Sequence, residues 1–141
     1  MTIRTLLVAL GVGWIAALAG LVWMASLVGM RPPHLTSLLT DMDIVLQAFA
    51  TLSVVSAAAG IIGLRVGAQR RATLGFAGAF GWGALGALYG AASARIMLIN
   101  MTPPIPVSVY ALGYAEALLV LLVGLTGALL GLGLLRRRSS R

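Results

Sequence analysis

Four long apolar stretches joined by three short polar links leave this chain very little choice of fold. They run over residues 6–30, 44–64, 74–99 and 107–135. A helix needs about 20 residues to cross the roughly 30 Å of hydrocarbon in a bilayer, and each stretch is at least that long. Helices are favoured because lipid offers no partner to backbone N–H and C=O groups, which a helix satisfies internally. A water-soluble domain carries about a quarter charged residues. Here only 9% are charged, 60% are hydrophobic and the mean hydropathy is +1.04. The expected fold class is therefore an all-α integral membrane bundle of four transmembrane helices, one membrane domain over residues 1–141.

The links are of the kind that break helices. Arg31-Pro32-Pro33-His34 is expected to end the first span, since proline removes a donor and disfavours helix before it. Residues 35–42 read as a short amphipathic piece, with Asp41 and Asp43 at the start of the second span, where a helix N-terminus favours negative charge. Residues 65–73 read as a tight turn holding three Arg, and residues 100–106 as a proline-rich break. The first stretch is 25 residues long, against about 7–15 for the apolar part of a signal peptide, and so is expected to stay as a span.

All ten basic residues are Arg, and the acids are Asp41, Asp43 and Glu116. A pI near 11.6 invites a nucleic-acid reading, but the Arg residues cluster at the ends of apolar stretches, as membrane orientation requires. Nucleic acid is thus not an expected partner; the lipid bilayer is. With the N-terminus inside, the cytoplasmic segments hold Arg4, Arg65, Arg70, Arg71, Arg136, Arg137, Arg138 and Arg141, and the outer ones only Arg31 and Arg95. That imbalance predicts cytoplasmic termini, a basic cytoplasmic tail at 136–141, and a multi-pass protein of the inner membrane. Arg65, Arg70, Arg71, Arg136, Arg137 and Arg138 are the expected membrane-surface anchors, and Tyr110 and Tyr114 are expected at the outer interface.

One acid lies inside an apolar stretch. Glu116 falls two to three turns into the fourth, where an ionised carboxylate costs about 2.5–3.5 kcal/mol on insertion scales. It either pairs with Arg95 near the outer end of the third span, or faces a pore, cavity or partner helix, or is packed in its protonated form. Gln47, Thr51, Ser53, Ser56, Ser93 and Thr126 are candidates for hydrogen bonds between helices, worth about 0.6 kcal/mol each. The chain has no Cys, a single His and no catalytic constellation. No cofactor, metal site or catalytic residue is therefore expected, and the protein does not read as an enzyme.

Eighteen Gly, mostly within the spans, point to close helix packing, because small residues supply association where lipid removes the hydrophobic drive. Gly86 and Gly90 share a face, as do Gly127 and Gly131.

Two segments also carry a resemblance. Gly83-Ala84-Leu85-Gly86-Ala87-Leu88-Tyr89-Gly90 is similar to the G-L-x-G-T-V-x-G helix of the MotA/TolQ/ExbB proton-channel family. Gly113-Tyr114-Ala115-Glu116-Ala117-Leu118, followed by Gly124-Leu125, resembles that family's G-I-A-E-A-L-x-x-T-A-x-G-L helix. Order, spacing and direction agree over roughly residues 80–130. The departures are Ala87 and Leu121 at the two pore-facing threonine positions, Thr126-Gly127-Ala128 where the family has a proline, a much shorter cytoplasmic region, and an additional span. The resemblance implies a ring-forming subunit that works with a partner helix on the proton-motive force. Two other readings stay open: a structural or assembly protein without transport, and a small four-span exporter of cationic drugs. Carriers of that last kind generally place their acid in the first span.

Overall fold

Each apolar stretch folds into a single helix, and a glycine with positive φ follows the first two. The structure is a computed structural model describing residues 3–29, 38, 40–102 and 106–139. Among them run α1 (Ile3–Leu27), α2 (Ile44–Arg65), α3 (Gln69–Asn100) and α4 (Val107–Ser139). All four are long and apolar enough to cross a membrane, which makes this an all-α, multi-pass membrane protein. Pro32, Pro33 and His34, most of the 35–42 piece, Pro103–Ile105 and Arg141 lie outside the described residues.

Four boundaries differ from those expected by three residues or more, the first being the start of α1 at Ile3 rather than residue 6, which puts Arg4 in its first turn. α1 stops at Leu27 rather than residue 30, because Gly29 takes φ +71 and its N–H turns back to Ser26 O. The α2–α3 link is only Val66–Ala68, with Gly67 at φ +78. There Gly67 N–H donates to Leu64 O and Ala68 N–H to Gly63 O, the paired bonds of a glycine-terminated helix. α3 therefore begins at Gln69, and Arg70 and Arg71 belong to its first turn instead of to a loop. α4 continues through Ser139, so Arg136, Arg137 and Arg138 form its last turn and not a loose tail. Arg propagates a helix well, and cations are favourable at its C-terminus.

α4 is the centre of the bundle, packed against α1, α2 and α3, while α2 also packs on α3. The α3–α4 pair is antiparallel and in strict register. Gly83 meets Gly124, Gly90 meets Ala117 seven residues on, and Ala94 meets Gly113 four residues beyond that. A Cβ on Gly83 would come 2.7 Å from Gly124 Cα, and one on Gly124 would come 2.8 Å from Ala79 O. The backbones touch there, and only glycine on both sides permits it. α2 approaches α3 in the same way, since a Cβ on Gly75 would lie 2.6 Å from Gly60 Cα. α1 packs chiefly on α4 through Ala17 and Leu21 against Ala115, Leu122 and Leu125. Trp14 Nε1 also donates to Thr126 Oγ at 2.9 Å, a hydrogen bond between helices at one of the positions anticipated from sequence.

The helices differ in reach. At 1.5 Å per residue, the 22 residues of α2 span about 33 Å, close to the hydrocarbon thickness. The 32 residues of α3 and the 33 of α4 span about 48 and 50 Å. All the described Arg residues except Arg95 gather at one end, where the antiparallel pairing brings Arg4 level with the end of α4.

Replacing Gly124 or Gly83 by Val is expected to cost about 1–3 kcal/mol or more through overpacking, read as a lower unfolding midpoint in detergent. Gly81→Ala, where an added Cβ meets nothing within 4 Å, is expected to be neutral or to gain up to about 1 kcal/mol.

Candidate functional site

Polar groups converge where α2 begins. Asp43 is the N-cap of α2, and its Oδ1 accepts from Val45 N–H at 3.1 Å. Its Oδ2 accepts from the Tyr89 hydroxyl of α3 at 3.2 Å. Gln47 Nε2, one turn into α2, donates to Thr40 O at 3.0 Å and Met42 O at 3.2 Å, closing the entry to the helix. Phe49 supports this corner from below, its ring centroid 6.1 Å from that of Trp82 and 6.3 Å from that of Tyr89. Such tilted aromatic pairs are favourable and hold Tyr89 toward Asp43.

Glu116 joins the corner from α4. Because Gly90 packs on Ala117, Glu116 lies level with Tyr89 and hence with the start of α2. One turn further along α4, Leu119 and Val120 pack against Leu46 and Phe49 of α2 and against Met42 just before it. Glu116 is partly buried, and the charge of Asp43 acts on it. Among the described residues it accepts no hydrogen bond and forms no ion pair.

This position revises the picture drawn from the sequence. The apolar band shared by all four helices runs from the Asp43–Tyr89–Glu116 level to the Arg-rich end, and Glu116 stands at its rim. Beyond that rim α3 continues for eleven residues past Tyr89, about 16 Å, and α4 overhangs beside it. Arg95 belongs to this overhang; it is exposed and makes no ion pair with Glu116. The Arg95–Glu116 bridge is thus not formed, for a geometric reason. The α3–α4 register sets Arg95 about one turn beyond the residue that faces Glu116.

The motif residues divide by neighbour. Gly83, Gly86 and Gly90 are buried, and a Cβ on Gly86 would meet Val120 and Phe49. Gly113, Ala117 and Gly124 of α4 face α3. Ala115 and Leu118 face α1, where Leu118 Cδ1 would lie 3.1 Å from a Cβ on Gly20. Of the two residues standing where the resembling family carries threonine, Leu121 lines an apolar cavity between α1 and α3, and Ala87 is half-buried on α3. At the opposite end Arg65, Arg70, Arg71, Arg136, Arg137 and Arg138 are exposed, and Arg138 donates through Nη1 to Leu64 O.

Sequence reasoning marked Glu116 but not its neighbours. Asp43 was legible as a helix-start residue, whereas its contact with Tyr89, 46 residues away, depends on how α2 and α3 pair. Of the other polar candidates, Thr51 turns back to Gln47 O within α2 instead of crossing to another helix. No protein-family description, characterised protein or solved structure matches this chain.

Asp43→Ala is expected to lower stability by about 1 kcal/mol through loss of the cap, and Asp43→Asn by much less because Asn caps equally well. Tyr89→Phe should cost at most about 1 kcal/mol, since the bond is solvent-accessible. Denaturant unfolding in detergent checks the order of the three.

Proposed function

We propose that this protein is an integral membrane subunit of a divergent MotA/TolQ/ExbB type, acting as an oligomer or against a partner helix. One observation carries the reading: Glu116, at the rim of the apolar band, has neither counter-charge nor hydrogen-bond donor among the described residues. An acid at the edge of the hydrocarbon with no partner in its own chain is met by water or by a second chain, and this reading takes the second chain. The two motif segments also form one tightly registered helix pair with the acid at its exposed rim, the scaffold that the resemblance leads one to expect.

Within a single chain the interior beyond Glu116 is almost wholly apolar: Val120, Gly83, Gly124 and Phe76 fill the α3–α4 contact, and Ser53 of α2 is the one buried polar residue among those described. A proton path through one copy is therefore not part of the proposal; any path runs between copies. The same apolar interior favours the second reading, a scaffold or assembly protein without transport. The Arg-rich end faces the cytoplasm in this proposal, which puts both termini there, in the inner membrane.

Reconstituted in liposomes, the parent is expected to pass protons under an imposed gradient, with Glu116→Gln reducing the flux at least tenfold. A strict monomer with flux absent from the parent, Glu116→Gln and Leu121→Thr alike would leave the scaffold reading. For orientation, the natural absence of Cys allows single-cysteine labelling. In intact cells an impermeant maleimide should reach Met101→Cys and not Val66→Cys.

A further inference from the structure

α1 and α3 both rest on α4 but do not pack closely on each other, and a cavity of about 650 Å³ lies between them. Its floor is the α4 stripe from Leu121 to Leu135, and its walls include Leu6 and Leu10 of α1 and Phe76 and Phe80 of α3. The one hydroxyl in the lining, that of Thr73, donates to Gln69 O of its own helix. Gly13 keeps the α1 wall open, since a Cβ there would meet nothing within 4 Å.

The groove has one charged end. On α3 the lining residues Thr73, Ala77 and Phe80 fall on a helical stripe whose preceding member is Arg70. On α4 the stripe through Ala128 and Leu132 continues to Arg136. Both Arg residues are exposed, and Arg4 lies at the same level two residues before Leu6. No acid stands at this end among the described residues, because Asp41, Asp43 and Glu116 are all at or beyond the opposite rim.

We propose that this groove is a binding site for one anionic phospholipid, its acyl chain along α4 and its phosphate between Arg70 and Arg136. The groove is long enough for one acyl chain. From Leu121 to Leu135 it runs about 21 Å, more than the roughly 15 Å of hydrocarbon in one leaflet. A helix of a second copy lying alongside would bring its own Arg-rich end to the same level and meet like charge there, whereas an anionic headgroup is complementary to it. The cavity lies in the range of about 300–1,000 Å³ typical of sites for single small molecules. Arg beside an apolar slot selects for charge at the headgroup, as juxtamembrane basic clusters do. The site stands apart from Glu116 and does not depend on the proposed function.

The full chain in mild detergent, offered equal phosphatidylglycerol and phosphatidylcholine, tests this by native mass spectrometry. The expected result is one phosphatidylglycerol retained per chain, with about a tenfold preference over phosphatidylcholine. Arg70→Gln/Arg136→Gln should abolish the preference, whereas Arg65→Gln/Arg71→Gln, with the same charge lost away from the groove, should keep it. Gly13→Leu should fill the slot and remove retention of either lipid. Equal retention of the two lipids overturns the proposal, as does unchanged retention in Gly13→Leu or a dimer that forms only when lipid is displaced from the groove.

Discussion

The contact between Gly83 and Gly124 is the constraint from which the rest of the structure follows. In lipid there is no hydrophobic gain in bringing two apolar helices together, so association depends on how closely their backbones can approach. With glycine on both sides α3 and α4 touch, and the register set there carries Ala117 to Gly90 and Gly113 to Ala94. Those pairings decide the level of every polar residue on the two helices. Glu116 therefore reaches the start of α2, and Arg95 is carried past it.

The second determinant is a difference in length. α2 is about as long as the hydrocarbon is thick, while α3 and α4 exceed that thickness by nearly 20 Å. Its N-cap therefore falls partway along its neighbours, and Asp43 meets a tyrosine from α3 and the charge of a glutamate from α4. A cap that serves α2 locally thus also builds a polar corner that three helices share. At the other end of the same band the Arg residues collect, and α1, seated on α4 alone of its close neighbours, leaves the slot that opens toward them.

Much of this was legible in the sequence, though unevenly. The four spans were plain, because runs of twenty or more apolar residues have few other uses. Helix ends were less so: Gly29 and Gly67 follow α1 and α2 with positive φ, and the Arg runs lay inside helices and not in links. The glycine spacing announced tight packing and named a face of α3, without saying that α4 would fill it from within the same chain. Thr126 was recognisable as a residue able to bond across helices, but nothing pointed to Trp14 as its donor.

The amino-acid order by itself determined the helical class, the number of spans and the separation of Arg from acid along the chain. Each of these follows from the cost of placing backbone and charge in hydrocarbon, a property of every segment taken alone. Only the tertiary structure decided that Glu116 stands at a rim beside Asp43 and Tyr89, out of register with Arg95. It also decided that one slot between α1 and α3 ends in Arg70 and Arg136. Those outcomes rest on axial register and on which helices touch, and both are fixed by backbone contacts between residues far apart in the chain.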